Sequence, residues 1–398
     1  MIHWYRISWL YLSLGVIFSV CIIITGCSHS PSLKEKFQVE FDSIHAEYQF
    51  PGATAAYILP DGKVEVFAVG LSDIEFEIPM TLQSRILAAS IGKTFMGAIL
   101  LALSQEGLLS LDDPVLKWLG ELTWFSRIPN HESITIRQLL THTSGIPNHI
   151  EEKEFVQLLR KKWLTSSNPF PPEAMIKFIL DKPPLFQPGQ GWYYTDTGYL
   201  LLGLIMERAT GHGYYEEVTC RFLDPLNLEL TTPSNSVELF GLASGYMAEE
   251  NPFGLAPKTT VSPGVMAWHP GIEWTGGGFV SNPGDLVVWG KTLFEGQAIK
   301  GNYLDDLLKS VPISESDSSI QYGTAVAIYH GGPFGTVYGH GGWIPGYSSS
   351  LRYYPDYEIC IAFQINTDIG IVDHSTSLIE DMEKRLAEVV ITSIQKSK

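Results

Sequence analysis

The sequence predicts an α/β (α+β) fold in which one antiparallel β-sheet is formed from both ends of the chain. Helices flank this sheet, and a helical subdomain is inserted between the two groups of strands. Three observations support this: strand-like runs near the start, a long central region of helix and loop patterns, and a second group of strand-like runs near the end. Mixed patterns of this kind are typical of α+β architectures.

The first group of strands is short and is followed by a buried helix. Ala53–Leu59 and Val64–Val69 are rich in β-branched and aromatic residues, and the turn residues of 60–63 separate them. Ser90–Glu106 is apolar on nearly every side and stops before Gly107, which predicts a helix inside the core. Residues 134–225 then alternate between helix and loop. Helices are expected at Ile134–Leu140, Glu151–Leu164, Pro172–Leu180 and Gly198–Ala209.

The last third of the chain returns to strands. Residues 226–275 are rich in loops, and Asn282 followed by Pro283 marks a capped helix start. A final amphipathic helix is expected from about Ser375 to Gln395. Together these patterns predict one domain over residues 39–395, with the helical subdomain at about 116–270. Strands are expected at Tyr322–Tyr329, Thr336–His340, Tyr347–Tyr354 and Glu358–Ile365.

Composition and charge exclude several classes of function. The 398 residues are 45% hydrophobic and 17% charged, which is typical of a globular protein with a large core. The formal charge of −17, with Arg160–Lys162 as the only basic cluster, argues against a nucleic-acid partner. The histidines do not have the spacing of metal ligands, so neither a metal nor a cofactor is expected.

The N-terminal segment indicates export. Residues 7–26 are almost wholly apolar, and Ile24–Cys27 resembles the lipobox of bacterial lipoproteins. We therefore expect a signal peptide over residues 1–26, Cys27 as the lipid anchor, and a polar tether through residue 38. Ser28 after the anchor resembles the outer-membrane sorting pattern, which would face the protein toward the periplasm in a Gram-negative cell. An uncleaved transmembrane helix is the alternative, and both readings place the domain outside the cytoplasm.

Two further cysteines, Cys220 and Cys360, belong to the domain. A disulfide between them is arithmetically possible, but a chain of this size does not need one. We expect two separate buried thiols.

The first candidate for chemistry is Ser90, in the motif Ser90-Ile91-Gly92-Lys93. The spacing puts the hydroxyl and the amine on one helix face, and a desolvated lysine can activate a serine. The helix start also offers free N–H groups for an oxyanion. Gly92 is costly inside a helix, which predicts a close backbone approach there. Ser393 and Lys396 share the spacing, but at a solvated helix end.

A second candidate is Tyr194 in Tyr194-Thr195-Asp196. Its phenol could carry a proton to and from Ser90 if a cation stabilises the phenolate. The alternative is an ordinary half-buried aromatic residue beside a helix cap, with Asp196 as the N-cap of the helix at 198–209. Tyr354-Pro355-Asp356 has the same spacing and is expected to be a hairpin turn.

The third candidate is His340-Gly341-Gly342 at the end of a predicted strand. The glycines let a substrate lie against the strand edge, and His340 supplies a polar or cationic group. The similar string at 330–332 precedes Pro333 and is expected to be a turn. His142 is expected to form a hydrogen bond at a helix end rather than to act in catalysis.

Taken in this order, the three motifs resemble those of the penicillin-recognising serine enzymes. These are the class C β-lactamases, the serine DD-carboxypeptidases, and related esterases and D-aminopeptidases. The resemblance covers about residues 45–390. It extends to segments outside the motifs, namely Gly107–Val115, Leu139–Pro147, Pro188–Gly203, Gly276–Leu286 and Tyr338–Pro355.

The resemblance implies a β-lactamase/transpeptidase-like fold and a role for each motif. Ser90 would be the acylated nucleophile, and Lys93 and Tyr194 would share the role of base. The backbone N–H groups of Ser90 and of Trp343, which follows Gly342, would form the oxyanion hole. His340 would help to bind a substrate carboxylate or to transfer a proton.

Two positions depart from the family pattern. Asp196 replaces the usual Asn, and an ionised carboxylate can only accept hydrogen bonds. Asp196 would also favour the charged form of Lys93, which points to Tyr194 as the base. Gly341 replaces a common Thr and so removes a hydroxyl. Both changes argue against efficient β-lactam hydrolysis.

The sequence therefore predicts a serine hydrolase that forms an acyl-enzyme with amides or esters. Peptidoglycan-type D-amino-acid peptides are the first expected substrates, and small esters are the second. No Gly-x-Ser-x-Gly elbow is present, which excludes the α/β-hydrolase route. The alternative is a catalytically weak, penicillin-binding-like scaffold that binds the cell wall.

Overall fold

A computed structural model describes residues 30–162, 171–248, 253–371 and 374–396. The expected signal peptide and Cys27 lie outside these residues. Within them, no helix is both long and apolar enough to cross a membrane.

The central feature is a nine-stranded antiparallel sheet made from both ends of the chain, which confirms the predicted fold class. Its strand order is β3-β2-β1-β14-β13-β12-β11-β10-β9, and β4, β8 and β5 form a small second sheet. The strands are β1 Gly52–Ile58, β2 Val64–Asp73, β3 Ile78–Pro79, β4 Ile86–Leu87, β5 Thr232–Pro233, β6 Thr260–Ser262, β7 Val265–Met266, β8 Phe279–Ser281, β9 Val311–Pro312, β10 Ile320–Tyr322, β11 Ala327–Gly332, β12 Gly335–Ile344, β13 Tyr347–Tyr354 and β14 Ile359–Ile365.

Pairing of β1 with β14 joins the two ends of the chain. Ala53 lies opposite Ile365, and the register continues to Ile58 opposite Cys360. Every residue of β1 and of β14 is buried, as expected of strands that are covered on both faces.

Eleven α-helices are described, most of them between the two groups of strands. They are α1 Leu33–Tyr48, α2 Lys93–Gln105, α3 Val115–Leu119, α4 Ile136–Leu140, α5 Lys153–Lys162, α6 Pro172–Ile176, α7 Asp196–Thr210, α8 Tyr214–Val218, α9 Pro283–Phe294, α10 Leu304–Leu308 and α11 Leu378–Gln395.

Helix α1 begins inside the segment that the sequence assigned to a tether. Ser32 and Glu35 form a reciprocal capping box, and Phe37 and Phe41 are fully buried. The folded domain therefore starts at Leu33, earlier than the predicted residue 39. Helices α1 and α11 pack together on one face of the sheet, and we call the apolar layer between them and the sheet the outer core.

Two other local predictions, the single strand at 322–329 and the burial of Cys220, differ from the structure. The predicted strand Tyr322–Tyr329 is two strands, β10 and β11, because a turn with Ala325 at φ 60° interrupts it. The predicted cap at Asn282 is confirmed, since its side chain accepts from the Gly284 N–H. Cys220 and Cys360 are unpaired thiols, as expected, but Cys220 is exposed rather than buried.

Candidate active site

Ser90 lies in a tight turn rather than in the first turn of an α-helix. Residues Ala89–Gly92 form a 3₁₀ turn, and α2 follows directly from Lys93. Ala89 has a φ of 49°, in the left-handed region that costs a residue with a side chain on the order of 1 kcal/mol or more. A strained residue next to a serine is typical of a functional site.

Two glycine contacts hold this turn against the rest of the site. An ideal Cβ at Gly92 would lie 1.8 Å from the Gly277 carbonyl oxygen, which explains the costly glycine that the sequence placed here. An ideal Cβ at Gly342 would lie 2.3 Å from the Ala88 carbonyl oxygen. Strand β12 and the Ser90 turn can therefore meet only because these positions have no side chain.

Lys93 is fully buried and forms the centre of the polar contacts. Its Nζ donates to Ser90 Oγ at 3.1 Å, to Asp196 Oδ1 at 2.5 Å and to the Gly276 carbonyl oxygen at 2.6 Å. Three acceptors use all three N–H bonds of an ammonium group. The Tyr194 ring centroid lies 4.8 Å from the same nitrogen.

These contacts keep Lys93 charged. Burial lowers the pKa of Lys93, but the Asp196 carboxylate and Tyr194 raise it more, so the net shift is upward. Lys93 is therefore a fixed cation at neutral pH. These contacts favour Tyr194 over Lys93 as the base, with the Lys93 charge stabilising anions beside it.

Tyr194 lies beside both Ser90 and Lys93. Burial raises the pKa of its phenol, while Lys93 and Ser90 lower it, and burial prevails. Its hydroxyl is shielded from solvent and has no well-aligned hydrogen-bond partner among the described residues. The structure thus brings together the hydroxyl, the amine and the phenol that the sequence singled out.

Asp196 is not the helix cap that the sequence offered as an alternative. It is the first residue of α7, and the Asn148 side chain accepts from its N–H at 3.2 Å. Asn148 thus caps the start of α7 at this N–H, and the Asp196 carboxylate pairs with Lys93. The Asp196 side chain stays 24% exposed.

His340 is neutral rather than cationic. Its Nδ1 lies 2.5 Å from the Gly341 carbonyl oxygen, which can only accept, so Nδ1 carries the proton and Nε2 accepts from the Tyr322 hydroxyl at 2.8 Å. Burial, with a contribution from Lys93, lowers the pKa of His340 to about 3. With both ring nitrogens occupied, His340 is poorly placed to bind a substrate carboxylate, and its expected part in binding or proton transfer stays a prediction.

The second half of β12 forms an edge of the site. Strand β11 pairs with β12 only as far as Gly339, so the outer edge from His340 to Ile344 has no strand partner among the described residues. Trp343 is held by a hydrogen bond from its indole to Asp368 and by stacking on Phe253. The contact between Gly342 and Ala88 keeps the two expected oxyanion donors on adjacent segments.

Several residues of the site were not expected from the sequence. His142 follows the end of α4 and its Nδ1 accepts from the Thr195 N–H, as the predicted hydrogen bond at a helix end requires, but its ring also packs 4.2 Å from that of Tyr194. Burial, followed by Lys93, lowers the pKa of His142 well below its usual value. Asn148 and Tyr322 carried no sequence signal. Gly276 begins a segment that resembles the family, but nothing in the sequence indicates that its carbonyl oxygen accepts from Lys93.

A cleft of about 700 Å³ opens over these groups. Its lining includes the acids Glu151, Asp196, Glu273 and Glu383, and Arg352, which pairs with Glu383 at 2.7 Å. Burial raises the pKa of Glu273 to about 8. Among the described residues, no cluster of His, Cys, Asp and Glu is arranged to hold a metal ion.

Comparison with known proteins identifies the family of this chain. Residues 37–382 match the Beta-lactamase family. Penicillin-binding protein 4* of Bacillus subtilis is 23% identical over 356 residues, which are 84% of this chain and 72% of that protein.

Solved structures of amide-cleaving enzymes are among those that share the fold. The D-stereospecific amidohydrolase from Streptomyces sp. has a TM-score of 0.72 and 26% identity, over 85% of this chain and 95% of that chain. The D-amino acid amidase from Ochrobactrum anthropi SV3, complexed with L-phenylalanine amide, has a TM-score of 0.74 and 23% identity, over 91% and 99%. The expected β-lactamase/transpeptidase-like fold is confirmed.

Proposed function

The chain belongs to the Beta-lactamase family, and from that premise we propose that it is a serine hydrolase that cleaves amide bonds through an acyl-enzyme on Ser90. The observation that carries the proposal is the buried Lys93 ammonium, which binds Ser90 Oγ and Asp196 while it lies beside Tyr194. A nucleophile, a proton carrier and a fixed positive charge are the groups that acyl transfer requires.

The charges define the proton path. Since Lys93 is a cation, the base is the small phenolate fraction of Tyr194, which the Lys93 ammonium stabilises. The phenolate takes the proton of Ser90, and Ser90 Oγ bonds to the substrate carbonyl carbon. The N–H groups of Ser90 and Trp343 stabilise the oxyanion.

The second half of the cycle reverses these transfers. The C–N bond breaks, and Tyr194 returns its proton to the leaving nitrogen. Water then attacks the acyl carbon and gives one proton to Tyr194. The bond from the acyl carbon to Ser90 Oγ breaks, Tyr194 returns this proton to Ser90, and the product acid leaves and ionises in solvent. No metal or organic cofactor enters this scheme.

Amides of D-amino acids are the proposed substrates, since a D-stereospecific amidohydrolase and a D-amino acid amidase share this fold. Peptidoglycan-type peptides rank below them, because His340 is neutral and cannot hold a substrate carboxylate as a cation would. Small esters are the last proposed class. The scaffold alternative does not account for a buried cation that is aimed at a serine hydroxyl.

A panel of substrates tests the proposal. We expect hydrolysis of D-amino-acid amides that is lost in Ser90→Ala, with slower turnover of D-Ala-D-Ala peptides, p-nitrophenyl esters and nitrocefin. A folded wild-type protein that hydrolyses none of these would support the scaffold instead, and activity that survives in Ser90→Ala would exclude Ser90 as the nucleophile.

We also propose that the protein is exported and anchored to a membrane by a lipid on Cys27, as the lipobox resemblance suggests. Labelling cells with an alkyne-tagged fatty acid should mark the wild-type protein and not Cys27→Ser. Equal labelling of both proteins, or labelling of neither, would remove this proposal.

A further inference from the structure

The carboxylate of Asp196 has one oxygen that catalysis does not use. Oδ1 binds the Lys93 ammonium, whereas Oδ2 makes no hydrogen bond within the described residues. The side chain is 24% exposed and lines the cleft beside Ser90. A ligand in the cleft can therefore reach this oxygen.

The chemistry of a carboxylate limits what that ligand presents. The Asn that the family usually has here can donate to a substrate carbonyl, but an ionised carboxylate only accepts. The substrate group that meets Asp196 must therefore carry N–H bonds. A hydrogen bond to a charged acceptor is strongest when the donor is also charged, as an ammonium is.

Distances within the site place this acceptor near the reacting bond. Lys93 Nζ lies 3.1 Å from Ser90 Oγ and 2.5 Å from Asp196 Oδ1, so a single nitrogen separates the nucleophile from the carboxylate. The α-nitrogen of an amino-acid amide is two covalent bonds from the carbonyl carbon that Ser90 attacks. It lies at the right range to reach Asp196 while the carbonyl meets Ser90.

The charge of the cleft favours the same class of ligand. Lys93 is paired with Asp196, Arg352 is paired with Glu383, and His340 is neutral. The cations among the described residues of the cleft are thus already neutralised. Glu151, whose Oε2 accepts from the Tyr193 hydroxyl, adds a carboxylate that has no cationic partner among the described residues. A substrate carboxylate finds no free cation here, and an ammonium finds acceptors.

We propose that Asp196 determines specificity by accepting a hydrogen bond from the α-ammonium of the substrate. The preferred substrates are then amides of amino acids with a free amino group, rather than N-acylated amino-acid amides or peptides that end in a carboxylate. This inference rests on the proposed function, because it names the substrate class of the Ser90 site.

The test compares two amides in three proteins. For the wild type, we expect kcat/KM for D-phenylalaninamide to exceed that for N-acetyl-D-phenylalaninamide by about tenfold or more. In Asp196→Asn, which restores a donor, the ratio should fall by about tenfold even if both rates drop. Asp61→Asn makes the same charge change in an exposed turn between β1 and β2, and it should keep the wild-type ratio.

Two results would overturn the inference: a wild-type protein that prefers the N-acetyl amide, or an unchanged ratio in Asp196→Asn. If Asp196→Asn does not fold, calorimetry with Ser90→Ala decides instead, because it measures binding alone. Tighter binding of D-phenylalaninamide than of its N-acetyl form supports the inference, and the reverse order contradicts it. Failure of the proposed function looks different, since no amide would then be cleaved while this order of binding could still hold.

Discussion

The cleft and the outer core are built by opposite rules. In the outer core, Phe37, Tyr57 and Phe67 pack with ring centroids 4.4 to 5.7 Å apart. At its rim, Arg385 pairs with Glu40 and Glu47. Apolar groups fill the centre and charged groups are paired at the edge, because burial of an unpaired charge costs free energy.

The cleft instead buries charge and leaves polar atoms without partners. Lys93 is fully buried, and four side-chain atoms near it have no hydrogen-bond partner among the described residues: His142 Nε2, Trp192 Nε1, Tyr194 Oη and Glu273 Oε2. Each such atom costs free energy. The outer core therefore stabilises the fold, whereas the cleft keeps polar groups that catalysis needs at a cost in stability.

Neutralising the charged pair in the cleft gives the largest expected effect. The double variant Lys93→Met/Asp196→Asn removes the cation that stabilises the Tyr194 phenolate, so kcat/KM should fall by about 10³-fold. The free energy of unfolding should stay within about 2 kcal/mol of the wild type, because buried ion pairs add little net stability. Amide hydrolysis and urea unfolding measure the two effects. A variant that unfolds at a much lower urea concentration than the wild type would show that the charged pair of the cleft also stabilises the fold.

The matched change in the outer core should do the reverse. Leu386 is fully buried on α11, and Leu386→Ala should lower the free energy of unfolding by about 2–5 kcal/mol. Below the unfolding transition, kcat and KM should remain close to the wild-type values. A tenfold loss of kcat in the folded variant would show that the two regions are coupled.

The pH profile sharpens the comparison within the cleft. Because the pKa of Tyr194 is raised, its phenolate fraction grows about tenfold for each pH unit, and kcat/KM should rise with pH through neutrality. His340, with a pKa of about 3, should add no inflection between about pH 5.5 and 7.5. A plateau reached below pH 7 would mean that another group is the base.

The smallest expected effect comes from the support of His340. Tyr322→Phe removes the hydroxyl that donates to His340 Nε2 and leaves this nitrogen unsatisfied, at a cost of about 1–3 kcal/mol of stability. We expect kcat/KM to fall less than about tenfold. His330, whose side chain is exposed near the β11–β12 turn, supplies the control: His330→Gln should change neither quantity.

The sequence was informative where a pattern was local. The apolar run after Ser90, the cap at Asn282 and the strands β13 and β14 follow from periodicity and turn chemistry, which depend on neighbouring residues. The motif copies were set aside on local context, namely Pro333 after residues 330–332 and the tail position of 393–396. The expected turn at 330–332 is wrong by a few residues, because these residues end β11 and the turn follows at 333–334.

What the sequence could not predict depends on distant parts of the chain. The charge state of Lys93 depends on burial and on partners more than 100 residues away in the chain. The charge state of His340 depends on burial and on its contact with Tyr322. The capping of α7 by Asn148 comes from a separate loop, and nothing near Asp196 indicates it. Helix α1 was missed because its polar surface residues resemble a tether, while its few apolar residues pack against β2 and α11.

Whether Ser90 is an activated nucleophile is tested most directly by covalent labelling. The wild-type protein and Ser90→Ala are treated with a fluorophosphonate and compared by intact mass and peptide mapping. We predict one stoichiometric adduct on Ser90 in the wild type and none in the variant. An unlabelled wild type that is folded, or an adduct on any other residue, would contradict the account.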